Sequence, residues 1–187
     1  DVRDLPWRDE PTPYHVWISE IMLQQTRAAV VRAYYLRFLD ALPHVRALAA
    51  VDDDALMKLW QGLGYYSRAR NLKRAAQVIV AEHGSDLPND FDALLALPGI
   101  GRYTASAIAS FAYGAPRPAV DGNFLRVAAR VTANPIDIAK DASKRALEAA
   151  LAPSYPSGKD AGLLNEAFMD LGATICLPNG APLCHSC

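Results

Sequence analysis

The 187 residues are 51% hydrophobic and carry a formal net charge of -1. That is enough apolar material for a buried core, as one large or two small lobes. It is too little net basic charge for a general electrostatic hold on nucleic acid, so any DNA contact has to be local. No apolar run approaches the roughly 20 residues of a membrane span, and the start does not resemble a signal peptide. These features predict a soluble, intracellular protein, and the abrupt ends at Asp1 and Cys187 read as boundaries within a longer protein.

Apolar residues recur at spacings of three and four throughout, with almost no strict alternation, so the fold is expected to be all-α. Near the start, the stretch PYHVWISEIMLQQT places Glu20 among Trp17, Ile18, Ile21, Met22 and Leu23. A carboxyl in apolar surroundings keeps its proton to higher pH and can act as a general acid, whereas an isolated glutamate on a helix is more often plain surface. Gln24 and Gln25 follow directly, with amides able to donate and accept at base edges. After a turn signal at Pro43 comes WQGLGYYSRARN, whose Gly62 and Gly64 mark a second turn and which sets Tyr65 and Tyr66 beside Arg68, Arg70 and, just beyond it, Arg74. This pairs stacking surface with phosphate-binding charge.

From Ser67 to Glu82 the periodicity predicts an amphipathic helix with Leu72, Ala75, Ala76 and Ile79 on one face and Arg70, Lys73, Arg74 and Gln77 on the other. A short helix over residues 91–95 then leads through LPGIG into a second one whose apolar face is Ala105, Ile108, Ala109 and Ala112. A Pro and two glycines between helices form a hairpin. Its exposed N–H groups suit a phosphate oxygen, although such a turn also caps helices with no ligand at all. The rigid sequence Pro116-Arg117-Pro118 is the expected boundary between two lobes, 7–116 and 117–187.

Next comes VDGNFLRV, in which Asp121 reads first as a helix N-cap and, paired with Glu20, as the ionised member of two carboxyls in different roles, the arrangement that suits glycosidic-bond cleavage. Helices are predicted with apolar faces Phe124, Val127, Ala128, Val131 and Leu164, Ala167, Phe168, Leu171. The three cysteines, 176, 184 and 187, crowd the last dozen residues. That pattern favours metal or cluster ligation over disulfides, and the spacing of Cys184 and Cys187, with His185 between them, is equally that of a zinc site.

Taken in order, SEIMLQQT, WQGLGYYSRARN, LPGIGRYTA, VDGN and NEAFMDLGATIC resemble the MutY family of adenine DNA glycosylases within the helix-hairpin-helix superfamily. The resemblance implies a six-helix barrel lobe and a cluster-bearing lobe with the active site in the cleft between them, acting as a monomer in a bacterial cytoplasm. It implies Glu20 as the acid that protonates adenine at N7 and Asp121 as the carboxylate stabilising the oxocarbenium-like sugar, supported by Tyr103 and Asn123. Trp7, Arg8 and Glu166 would line the adenine pocket. Gln24, Gln25 and Tyr65 would wedge into the duplex at the mispair, while Arg68, Arg70, Gly99, Gly101 and Arg102 would hold the DNA backbone.

The implied substrate is duplex DNA with adenine opposite 8-oxoguanine or guanine, cleaved without strand scission. Tyr103 stands where the endonuclease III-like sister family carries a catalytic lysine, so no Schiff base is expected. Cys176, Cys184 and Cys187 match three of four ligands of the family's [4Fe-4S] cluster, the fourth being expected beyond residue 187. The competing readings are an endonuclease III-like or thymine-mismatch glycosylase on the same scaffold, and a non-catalytic helix-hairpin-helix DNA-binding module.

Overall fold

The structure, a computed structural model, describes residues 4–187. It is built from helices, with no strand among the described residues, and its contacts divide the chain into two compact units that meet inside a single helix, at Ile108 and Ala109. The Pro116-Arg117-Pro118 segment therefore falls within the second unit.

The first unit contains α1 (Pro13–Leu23), α2 (Ala28–Ala41), α3 (Val45–Ala50), α4 (Asp53–Trp60), α5 (Ser67–Glu82), α6 (Phe91–Ala96) and the first turns of α7 (Arg102–Phe111). Short polar side chains start three of them: Thr12 accepts from the His15 N–H, Asp52 from Asp54 and Ala55, and Asp90 from Ala93. Helix α1 is buried on every side, from Tyr14 through Val16 to Met22, which is the signature of a central helix with neighbours all round. Trp17, Ile18 and Met22 are buried, as are Tyr35 and Phe38 of α2, Trp60 of α4 and Leu72 and Ile79 of α5; α1 packs on α2 and α5, and Phe38 meets Trp60 edge-on. Helix α5 keeps the predicted bounds, and Leu72, Ala75, Ala76 and Ile79 form its buried face.

The second unit holds α8 (Gly122–Val131), α9 (Asp141–Leu151) and α10 (Lys159–Thr174). Its core is Val120, Phe124, Leu125, Ala128, Tyr155 and Ala161, with Leu147, Leu151, Leu164 and Phe168 packed against it. Phe124 stacks on Phe168 at 4.0 Å between ring centroids. Three expectations need correction here. Val131, assigned to the apolar face of α8, is 74% exposed because the helix ends there. Ala112 lies beyond the end of α7. On α10, Leu164 and Phe168 pack against the core as expected, but Ala167 is exposed, and the buried positions are Ala161, Asn165 and Gly172.

The buried polar position on α10 is the centre of a hydrogen-bonded knot. Asn165, fully buried, accepts from the backbone N–H of Ala119 (2.8 Å) and the Tyr155 hydroxyl (2.6 Å), and donates to Ser110 Oγ (2.6 Å) and to the carbonyls of Arg117 and Ala161 (3.1 Å each). The knot ties α10 to the segment that leads into Asp121.

Candidate active site

Glu20 sits in the last turn of α1 and is 6% exposed, flanked by fully buried Trp17, Ile18 and Met22. The helix continues only to Leu23. Its final carbonyls have no partner further along the helix, and a single guanidinium takes their place. Arg68 Nη1 donates to the carbonyls of Ile21 (2.9 Å), Met22 (2.8 Å) and Gln24, while Nη2 donates to the carbonyls of Leu63 (3.0 Å) and Gly64 (3.3 Å) and to Thr26 Oγ1 (3.2 Å). Its Nε makes no hydrogen bond. Burial lowers the pKa of this arginine, yet the carbonyl dipoles at the negative end of α1 still suit a cation. Arg68 was expected on the DNA backbone. Instead it is 7% exposed and its terminal nitrogens are committed to protein oxygens.

The two loops held by this guanidinium carry Gln25 and Tyr65. Both are exposed, and both adopt left-handed backbone angles, φ 58° and 45°, which non-glycine residues rarely occupy. Tyr65 is 64% exposed, with Arg68 lying 5.6 Å from its ring centroid on the inner side. Gln24 is half-buried and donates to Thr104 Oγ1 of α7 at 3.4 Å.

The hairpin between α6 and α7 is formed as the spacing predicts. Gly99 has φ 79°, and a Cβ there would come within 2.7 Å of Asn71 Cβ, so only glycine fits the turn. Gly99, Gly101 and Arg102 are all exposed, and Arg102 lies over the Phe91 ring at 5.4 Å. Arg70 is exposed on α5, where it lines an open groove with Lys73 and Arg74. Trp7 is buried edge-on against Tyr35, while Arg8 and Tyr103 are half-buried.

In the second unit, Asp121 caps α8. Its Oδ1 accepts from the backbone N–H of Phe124 at 2.7 Å, and Oδ2 accepts from Asn123 Nδ2 at 2.9 Å. Asn123 Oδ1 in turn accepts from Arg126 Nη2 (2.8 Å), and Arg126 also donates to the carbonyls of Gly172 (2.8 Å) and Cys176 (2.9 Å). Arg126 escaped the sequence reading because an arginine in an amphipathic helix normally faces solvent, and only the DGNxxR spacing hinted otherwise. Glu166 is half-buried on α10, next to Asn165. Arg130 Nη1 donates to Cys176 Sγ (3.2 Å) and to the Leu177 carbonyl (2.8 Å).

A family model described as HhH-GPD superfamily base excision DNA repair protein matches residues 18–153. The chain belongs to this superfamily. The HhH-GPD chain is 41% identical to the adenine DNA glycosylase of Mus musculus and 43% identical to that of Homo sapiens, covering 99% of itself and 37% and 35% of those proteins. It is 39% identical to the adenine DNA glycosylase of Mycolicibacterium smegmatis, of which it spans 62%. The chain thus spans between about a third and three-fifths of these relatives' length. Among solved structures, a thermostable thymine-DNA glycosylase superposes with TM-score 0.88 at 31% identity, covering all of this chain and 85% of that one. An endonuclease III–DNA complex shares the fold with TM-score 0.78 at 24% identity, over 94% of this chain and 80% of that one.

The C-terminal cysteines of this HhH-GPD chain have donor chemistry suited to a soft, thiolate-bound centre. Their geometry does not complete one: among the described residues, no three His, Cys, Asp or Glu side chains are gathered closely enough to hold a metal ion. Cys176 is half-buried and Cys184 and Cys187 are exposed, all as free thiols.

Proposed function

We propose that this protein is a monofunctional glycosylase that hydrolyses the N-glycosidic bond of adenine mispaired with guanine or 8-oxoguanine in duplex DNA. The observation that carries this reading is the buried carboxyl of Glu20 in the central helix. A carboxyl held in the central helix away from bulk water, beside fully buried Trp17, Ile18 and Met22, is placed as a general acid has to be. The adenine glycosylases to which the chain is 39–43% identical supply the substrate class.

In this reading Glu20 delivers its proton to N7 of a flipped adenine, and the electron pair of the breaking C1′–N9 bond leaves with the base. Asp121, held at both oxygens, stabilises the positive sugar until water adds at C1′, its released proton passing to the carboxylate left on Glu20, and an abasic site remains. Gln25 and Tyr65 enter the stack at the vacated position, and the exposed hairpin meets the backbone. Cys176, Cys184 and Cys187 are proposed as ligands of a [4Fe-4S] cluster, and no chemical step passes through it.

A thymine-directed reading is favoured by one observation, the close superposition on a thymine-DNA glycosylase. Single-turnover assays on duplexes with adenine opposite guanine or 8-oxoguanine, and with thymine opposite guanine, decide between the two. Adenine release that yields strand breaks only after alkali, and that Glu20→Gln abolishes, supports the proposal. Thymine release, or nicking without alkali, refutes it.

A further inference from the structure

We infer that Arg68 is a positioning residue that sets the register of the two probe loops, so that Gln25 and Tyr65 reach the duplex together. The inference rests on the proposed role of those two residues as the wedge. Four observations carry it. The guanidinium is buried and bonds to Gln24 and Thr26, the residues on either side of Gln25. It also bonds to Leu63 and Gly64, directly before Tyr65. Gln25 and Tyr65 both hold left-handed angles that an untethered loop would relax from. Finally, Arg68 sits between two rings, Trp60 at 5.3 Å on the core side and Tyr65 at 5.6 Å.

The two terminal nitrogens of the fork donate to six oxygens, of the end of α1 and of both loops. Lysine keeps the charge, but its single nitrogen has three N–H donors and lacks the spread of the fork, so it cannot replace all six bonds. Without the fork each loop can stay folded while the relative placement of its tip drifts, and displacements of this size in positioning elements lower rates by up to about a hundredfold. The penalty falls on the step that needs both tips, which is unstacking of a paired base. It does not fall on the chemistry of a base already out of the stack.

The test uses Arg68→Lys on two duplexes, one with adenine opposite guanine and one with adenine opposite an abasic spacer, where flipping costs little. Unstacking is read from 2-aminopurine fluorescence at saturating protein, and base release from single-turnover rates. The expected result is a loss of about tenfold or more on the paired duplex and under about threefold on the spacer duplex, with the thermal midpoint still cooperative. Equal effects on the two duplexes, including none on either, overturn the inference. Should Arg68→Lys fail to fold, Thr26→Val removes one tether alone, and the same inequality between duplexes is required of it. If the parent unstacks the base but releases no adenine from either duplex, the proposed chemistry fails while the fluorescence comparison still decides the role of Arg68.

Discussion

Asn123 Nδ2 donates to Asp121 Oδ2 at 2.9 Å, so that with the Phe124 N–H on Oδ1 each oxygen of the carboxylate is aimed by a different partner. A hydrogen bond to a charged group contributes about 1.5–3 kcal/mol. Asn123→Ala is therefore expected to lower the single-turnover rate of base release by roughly tenfold to a hundredfold, with little change in duplex affinity. Rates measured at saturating protein, beside a binding isotherm, check this. A variant with normal rate and weakened binding would show that Asn123 contacts DNA instead.

Gly99→Ala places a methyl group within 2.7 Å of Asn71 Cβ, in a backbone conformation that alanine avoids. A loss of about 1–3 kcal/mol is expected on denaturant unfolding, because Asn71 is gripped at the root of its side chain and cannot swing aside. Weaker binding to undamaged duplex should accompany it if the hairpin holds the backbone. Gly101→Ala, with open space around it, is the control and should be near neutral for stability.

Asn165→Ala should destabilise the second unit by about 3 kcal/mol or more, since it strands a buried backbone N–H, a tyrosine hydroxyl and a serine hydroxyl at once. Urea titration followed by hydrogen exchange reads this, with protection expected to fall first in α10 and the residues before Asp121.

Burial raises the pKa of Tyr35 from its ordinary 10.0 to about 12, with Asp9 and Glu10 adding to the effect, and burial also raises those of Tyr14 and Tyr155. These phenols stay protonated in the folded protein at pH values where the unfolded chain has already ionised. The stabilisation from all three is complete below pH 10; that of Tyr35 is lost as the pH climbs through about 12, and that of Tyr14 and Tyr155 begins to fall in the same window and goes on falling above it. The thermal midpoint measured in small pH steps should therefore drop in that window, and Tyr35→Phe should flatten part of the drop.

Much of this could be read from the residue pattern because local rules agreed with tertiary demand. Helix α5 has one apolar and one charged face, and its limits are those expected. The burial of Glu20 follows from apolar neighbours on both sides in the chain, and Asp121 is the N-cap its position suggested. The reading failed where a polar residue solves a long-range problem. Arg68 lies in a basic stretch that looks like phosphate-binding surface, but it completes the end of a helix 44–47 residues earlier in sequence. Asn165 puts an amide in the interior of α10's packing, beside Leu164 and Phe168 that pack against the core. No periodicity records such commitments, because periodicity counts apolar residues.

The left-handed backbone at Gln25 and Tyr65 has a consequence for time as well as for shape. A conformation of this kind costs of order 1–3 kcal/mol per residue, and here the folded protein meets that cost before any duplex arrives. A repair protein must sample a long run of sound base pairs for each faulty one. Loops that had to order themselves at every step would add their own folding time to each inspection. In the proposed role of Gln25 and Tyr65 as the wedge, tips whose backbone angles are already set in the folded chain need no ordering step of their own at each pair inspected.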